Sequence, residues 1–155
     1  MSCLCLERSE RNDKTMKYST RLSDAVHILV FIQQSGSSTV SSSDIAVSIC
    51  TNPSYVRQIM AKLKAAGLLH SSRGQAAPKL GKLPREITLL EIYKAVEKEK
   101  PLLHLDTHTN PECGVGVNIQ LALADYYKKV QEDAESSMGK ITLEDIINTY
   151  LERIS

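Results

Sequence analysis

The spacing of apolar residues along the chain predicts a mainly helical protein. In six stretches the apolar side chains recur every three or four residues, which places them on one face of a helix. These stretches are residues 20–34, 45–49, 53–66, 88–96, 118–137 and 142–154. Two short, partly apolar runs, 68–71 and 77–80, flank Arg73-Gly74-Gln75 and predict a β-hairpin. Pro78 weakens the second of these strands, because it lacks a backbone N–H donor.

The second and third helices are predicted to meet across a tight turn. Asn52 can cap the third helix, and Pro53 stands at its first position, where a missing N–H has no consequence. Gly67 can adopt the left-handed conformation that ends this helix. Two short helices, a turn and a hairpin in this order make a winged helix-turn-helix. We therefore expect a mainly α fold with a small β wing, followed by a long C-terminal helix.

The same segment carries a local excess of positive charge. No acidic residue lies between Asp44 and Glu86, whereas seven basic residues do, in a chain whose net charge is +1. The seven are Arg57, Lys62, Lys64, Arg73, Lys79, Lys82 and Arg85. A surface that is merely solvated usually mixes both signs of charge, so this excess indicates a phosphate-binding surface. We expect double-stranded DNA as the partner; a winged-helix module that binds another protein is the alternative, and salt-dependent DNA binding separates the two.

The expected DNA contacts lie on the third helix, called the recognition helix from here on, and on the wing. N-terminal residues of a recognition helix meet base edges in the major groove. The predicted contacts are Ser54, Tyr55, Arg57 and Gln58 in the groove, Arg73 at the backbone or minor groove, and Lys62 and Lys79 as further DNA-binding residues. Arg57 is the residue best suited to pair with a guanine edge.

Composition narrows the class of protein further. With 155 residues, of which 42% are hydrophobic and 24% charged, the chain resembles an ordinary globular protein. No run of about 18 apolar residues and no signal-peptide pattern occurs, so we expect no membrane partner and a cytoplasmic location. No Ser/His/Asp or Cys/His arrangement stands in a recognisable structural context, so we do not expect an enzyme. The four cysteines are expected to be free thiols rather than a disulfide framework.

Four segments are predicted along the chain: a flexible tail over 1–15, the winged helix-turn-helix over 16–97, a sensor loop over 98–117 and dimerisation helices over 118–155. Met16 is an alternative start, and the two thiols Cys3 and Cys5 cannot fill a tetrahedral metal site alone. The last two helices carry wide apolar stripes, and residues 86–155 hold 13 acidic against seven basic side chains, a net charge of −6. We therefore expect a homodimer; the alternative is that these helices fold back onto the monomer core.

Short motifs recur in a fixed order from the first helix to the fourth. They are Lys17-Tyr18-Ser19, Asn52-Pro53-Ser54-Tyr55-Val56-Arg57, Leu63-x-x-x-Gly67-Leu68, Ser72-Arg73-Gly74 and Ile87-Thr88-Leu89-x-Glu91-Ile92. In this order and spacing the chain resembles, over residues 16–154, the Rrf-two family of bacterial winged helix-turn-helix transcriptional regulators. The resemblance implies a dimer held by a long helix near the C-terminus, DNA binding by the winged module, and an effector sensed in the loop before the long helix.

The loop departs from the family pattern in its cysteines. Iron-sulfur members of the family resemble one another in placing three cysteines there, whereas here only Cys113 stands in the loop. The spacing of His104, His108 and Cys113 matches no metal-ligand pattern. We therefore expect no iron-sulfur cluster, no metal site and no other cofactor. Some cluster-less members are thiol sensors, which is what the resemblance adds.

Two cysteines are candidates for such a sensor. Cys50 precedes the recognition helix, whose N-terminal dipole favours a thiolate, although the end of the preceding helix opposes it. Asn110 and Pro111 are a candidate cap and first helical residue, which would put Cys113 in a helical turn. Oxidation to a disulfide between subunits would shift the recognition helix and change DNA affinity; the alternative is that Cys50 is a small buried hydrophobe and Cys113 inert.

The predicted function is therefore a DNA-binding transcriptional regulator. A repressor is expected, with activation left open by the sequence. The signal is an oxidant acting on Cys50 and Cys113 or, alternatively, a small molecule.

Overall fold

A computed structural model of the chain describes residues 19–36, 39–71, 77–98, 100–106, 110 and 112–155, with the side chain of residue 117 excepted. Six α-helices, two short strands and a single 3-10 turn are present in these ranges. They are α1 (Arg21–Gln34), α2 (Ser42–Ile49), α3 (Pro53–Ala65), β1 (Leu69–His70), β2 (Lys79–Leu80), the 3-10 turn (Pro84–Glu86), α4 (Leu89–Glu97), α5 (Gly114–Met138) and α6 (Leu143–Ile154). The predicted fold, mainly α with a small β wing, is confirmed.

The helices form where local sequence rules place them. The side chain of Asn52 accepts a hydrogen bond from the backbone N–H of Tyr55 at 2.8 Å, and Pro53 is the first residue of α3. Gly67 has a φ of +72°, so the helix ends in the left-handed conformation that glycine adopts without strain. The predicted caps of the recognition helix are thus confirmed.

The described residues from Ser19 to Gly81 form one compact unit around α1, α2, α3 and the sheet. Its core consists of aliphatic side chains that are at most 2% exposed, namely Ala25, Ile28, Leu29, Ile45, Ala46, Val56, Ile59, Leu63, Leu68 and Leu69. The strands pair antiparallel, with Leu69 opposite Leu80 and His70 opposite Lys79. Pro78 directly precedes β2, so its missing N–H donor lies outside the ladder.

The base of the wing depends on a close approach of two backbone segments. The N–H of Gly81 donates to the carbonyl oxygen of Leu68 at 3.0 Å. A Cβ atom at Gly81 would lie 2.0 Å from the carbonyl oxygen of Gly67. Only glycine therefore allows this approach.

Lys82–Ser155 form the second compact unit. Here α4 and α6 begin side by side, because Thr88 and Thr142 form an antiparallel bridge. The N–H of Leu89 donates to the carbonyl of Ile141, and the N–H of Leu143 donates to the carbonyl of Ile87, both at 2.8 Å. Each threonine also caps its helix in a capping box, with Glu91 in α4 and Asp145 in α6.

These bonds explain where the observed organisation differs from the predicted segments. The predicted winged domain extends to residue 97, whereas the compact units meet at Gly81 and Lys82. Because α4 is joined through its backbone to the start of α6, it belongs with the C-terminal helices. The long helix begins at Gly114 rather than residue 118, so the connection before it is shorter than the predicted loop. The first turn contains Gly114 and Gly116, and glycine is a poor helix former, so the sequence pattern did not predict this turn as helical.

Helix α5 leaves much of its apolar surface in contact with solvent. Side chains along its length are between 48% and 77% exposed, namely Val115, Ile119, Leu121, Tyr126 and Val130. Helix α6 has Leu143 and Ile147 buried, while Tyr150, Leu151 and Ile154 are exposed. Among the helices described, none is long and apolar enough to cross a membrane.

Candidate nucleic-acid interface

Helix α3 has one apolar face and one polar face. Val56, Ile59 and Leu63 are buried against the other helices of the first unit. The opposite face is exposed and carries Ser54, Arg57, Gln58, Ala61 and Lys64, which follow the i, i+3, i+4 spacing of one helix side. The predicted groove residues Ser54, Arg57 and Gln58 therefore share one solvent-facing surface.

The guanidinium group of Arg57 is held in place by two hydroxyl groups. Its Nη1 donates to Oγ of Ser42 in α2 at 3.1 Å, and its Nη2 donates to Oγ of Ser54 at 2.9 Å. A guanidinium group has five N–H donors, so these bonds leave donors for a further partner. The two bonds join the N-terminal turns of α2 and α3, and they fix the cation on the exposed face of the helix-turn-helix.

A notch of about 360 Å³ lies beside this arginine, between α2, α3 and the residue after β1. It is lined by Ser42, Arg57, Met60, Ala61, Lys64 and Ser71. The Lys64 ammonium donates to the carbonyl oxygen of Ser71, which holds this second cation at the same notch. Two cations held at one notch suit the binding of a phosphate group. Ser42 was missing from the predicted contacts, although its place in the serine run at the start of α2 could have indicated it.

The side chain of Tyr55 contacts α1 and does not share the exposed face of the other predicted groove residues. Its hydroxyl donates to Oδ2 of Asp24 in α1 at 2.7 Å, and the side chain is half-buried. Burial, followed by the hydrogen bond to Asp24 and the charge of that carboxylate, raises the pKa of Tyr55 above 10.0. Its observed role is to join α3 to α1. This geometry argues against the predicted groove contact, because the hydroxyl already has a partner inside the protein.

The remaining predicted DNA contacts are spread over the first unit. Lys62 is half-buried on α3, and Lys79 is exposed in β2. Arg73 lies outside the described residues, so its predicted contact stays a prediction.

The two candidate sensor cysteines are both exposed and lie in different units. Cys50 is the C-cap of α2, in the left-handed conformation with φ 55° and ψ 51°. Cys113 is the N-cap residue of α5, and its side chain makes no capping hydrogen bond. Asn110, the candidate cap, accepts a hydrogen bond at Oδ1 from the N–H of Glu112 at 2.9 Å, whereas the helix begins at Gly114. The alternative in which Cys50 is buried is excluded.

Most of the chain matches a known protein family. Residues 18–149 match the model of the Rrf2 family, described as an iron-dependent transcriptional regulator. Iron-sulfur clusters are commonly held by four thiolates, whereas the segment before α5 contains Cys113 alone. In the described part of the chain, no group of three histidine, cysteine or acidic side chains could hold a metal ion. His108 lies outside that part.

Known proteins resemble this chain in sequence and in fold. YwnA of Bacillus subtilis (strain 168), named as an HTH-type transcriptional regulator, is 39% identical over 130 residues, which is 84% of this chain and 96% of YwnA. A crystal structure described as a DNA binding protein is 36% identical with a TM-score of 0.66, covering 82% of this chain and 98% of its own. CymR, the global cysteine regulator of B. subtilis, has the same fold at 22% identity and a TM-score of 0.62, covering 86% of this chain and 97% of its own. The chain therefore belongs to the Rrf2 family of transcriptional regulators.

Proposed function

We propose that this regulator is a repressor that binds double-stranded DNA as a homodimer, with α3 in the major groove. The observation that carries the proposal is the fixed Arg57 guanidinium on an exposed, acid-free helix face. Ser54 and Gln58 flank it, and the notch with Lys64 supplies a place for a backbone phosphate. Arg57 reads a guanine edge, since arginine offers two parallel donors to that base.

Substitution of Arg57 tests this assignment. DNA duplexes are first selected from a random pool by the parent protein, and affinity is then measured by fluorescence anisotropy at several salt concentrations. Losing a bidentate base contact removes about 1 to 3 kcal/mol of discrimination, so Arg57→Ala binds the selected site more weakly and accepts changes at one base pair. Lys140→Ala, which removes an exposed cation from the second unit, is the matched control and leaves binding unchanged. Equal affinity and equal sequence preference in Arg57→Ala and parent would refute the contact between Arg57 and a base in the major groove.

The homodimer is proposed on the exposed apolar surface of α5. Five large apolar side chains on this helix face solvent, and a second copy would bury them in a symmetric interface. Leu121 is 65% exposed, so Leu121→Lys leaves the monomer core intact while placing a charge in the interface. Sedimentation at micromolar concentration is expected to give a dimer for the parent and a monomer for Leu121→Lys. Leu83→Lys, at a 51% exposed position outside α5, is the control and stays dimeric; a monomeric parent contradicts the proposal.

We further propose that peroxide controls DNA binding through Cys50 and Cys113. Both thiols are exposed at helix ends, which supports their access to an oxidant. One thiolate attacks the peroxide, giving a sulfenic acid and reducing the peroxide to water. The second thiol then displaces water from the sulfenic sulfur to form a disulfide between subunits. No cofactor takes part in this switch.

Mass spectrometry and DNA binding together test the switch. Peroxide-treated parent is expected to contain a Cys50–Cys113 crosslink that migrates as a covalent dimer without reductant, and to lose affinity for the selected duplex. Cys50→Ser and Cys113→Ser each abolish both changes. If both variants respond to peroxide as the parent does, the two thiols are not the switch.

A further inference from the structure

A cleft of about 500 Å³ lies within the second unit, between α4, α5 and the segment that follows α4. Its volume falls in the range of sites that bind small molecules. All the side chains that line it belong to this unit, and none of them lines the notch beside Arg57.

Hydrogen bonds fix the polar wall of the cleft. The hydroxyl of Tyr93 donates to the carbonyl oxygen of Lys100 at 2.6 Å, which holds the segment after α4 against that helix. Gln131 of α5 donates through Nε2 to the Tyr93 hydroxyl at 3.3 Å and to Oε1 of Glu135 at 2.8 Å. Its Oε1 accepts from the N–H of Leu102 at 2.9 Å. The wall is therefore formed before any ligand arrives.

The charges along the cleft are unbalanced. Three lysines and one carboxylate line it, and the ammonium of Lys94 lies 3.1 Å from Oε2 of Glu135. Hydrogen bonds from Gln131 and from Lys94 lower the pKa of Glu135, so this carboxylate stays ionised and neutralises Lys94. Lys98 and Lys100 have no ion pair with any described residue. Among the described residues, therefore, no carboxylate forms an ion pair with either of these two ammonium groups at the cleft.

The backbone of Lys98 gives a second, independent observation. Its φ is 60° and its ψ is −129°, a conformation that residues with a side chain rarely adopt. Strained backbone of this kind collects at ligand-binding and functional sites. The position favours glycine on conformational grounds, yet it carries an ammonium group at the edge of a cleft.

We propose that this cleft binds a small phosphate ester. Lysine ammonium groups bind phosphate as point charges, whereas planar carboxylates are matched better by the two parallel donors of arginine, and no arginine lines the cleft. Lys98 and Lys100 contact the phosphate, and the ring of Pro101 offers apolar surface to the organic part. The proposal goes beyond the proposed DNA binding and does not rest on it, because binding is measured on the protein alone.

Calorimetry with glycerol 3-phosphate and with inorganic phosphate tests the site in a phosphate-free buffer of low salt. The parent protein is expected to bind glycerol 3-phosphate saturably and more tightly than inorganic phosphate. Lys98→Gly removes one ammonium while keeping the positive φ, and Lys100→Ala removes the other without touching the carbonyl that Tyr93 uses. The double variant loses at least tenfold in affinity, because charge-assisted hydrogen bonds to the phosphate are gone. Lys140→Ala binds as the parent does.

Backbone NMR shifts locate the ligand. Shifts confined to residues 93–102 and 131–135 support the proposal, and shifts confined to the recognition helix overturn it. Absence of saturable binding by the parent, or an unchanged affinity in the double variant, also overturns it. A double variant that keeps its affinity for the ester but loses affinity for DNA would assign these lysines to nucleic acid instead.

Discussion

Removing the Tyr55 hydroxyl probes how the recognition helix is held. Tyr55→Phe keeps the ring and deletes the 2.7 Å hydrogen bond to Asp24, a contact between residues 31 positions apart in the chain. Hydrogen bonds to charged groups contribute about 1.5–3 kcal/mol when buried. Asp24 is half-buried and still accepts from Oγ1 of Thr20 at 3.0 Å, so its carboxylate is not left without a partner. Because both side chains are only half-buried, we expect a loss below this range, about 1 kcal/mol in the free energy of unfolding.

The raised pKa of Tyr55 gives this prediction a pH signature. Its value in the folded protein lies above the ordinary 10.0, first because of burial and then because of Asp24. A group whose pKa is raised on folding contributes stability that is fully present below the unfolded value and is lost as pH rises through the folded value. The stabilising contribution of Tyr55 is thus complete below about pH 10 and disappears above it.

Urea unfolding at pH 7 and at a series of alkaline pH values measures both effects. Tyr55→Phe should be about 1 kcal/mol less stable at pH 7, and it should lose less stability than the parent above pH 10. A double-mutant cycle with Asp24→Asn isolates the coupling between the two side chains. Tyr150→Phe, at a 41% exposed position outside α5, is the control. Equal stability of Tyr55→Phe and parent, with the same alkaline profile, would refute this account of the contact.

Three further outcomes follow from the fold. Gly81→Ala destabilises the wing strongly in thermal unfolding, because its Cβ would lie 2.0 Å from the carbonyl oxygen of Gly67, whereas an unchanged melting temperature would show that this approach is not needed. Lys98→Gly raises the free energy of unfolding by about 1 kcal/mol in urea, since glycine adopts its positive φ without strain; a decrease would contradict the strain argument. Burial would raise the pKa of Glu91, but hydrogen bonds led by that from Lys82 at 2.6 Å hold it below 4.5, so its contribution to stability is present above pH 4.5 and is lost as pH falls through the lowered value. Glu91→Gln should therefore flatten the acid side of the stability profile, and a profile as steep as that of the parent would exclude this role.

The sequence alone determined the features that depend on neighbouring residues. Asn52, Pro53 and Gly67 set the bounds of the recognition helix through capping and backbone conformation, which act within a few residues. The basic segment around Arg57 was equally visible, because charge is a property of composition. The helix-turn-helix and its exposed residues Ser54 and Gln58 could be predicted because apolar spacing within a helix shows which face is buried.

Tertiary structure alone decided the contacts between distant parts of the chain. The Tyr55 hydroxyl donates to Asp24 in α1, which draws this side chain away from the exposed face of α3. The Arg57 guanidinium is positioned by a hydrogen bond to Ser42 in α2. The bridge between Thr88 and Thr142 brings together residues 54 positions apart and moves α4 into the second unit. The lysine-lined cleft likewise needs α4 and α5 side by side. Local pattern cannot show these pairings, because they follow from which surfaces pack together rather than from the spacing of residues within one helix.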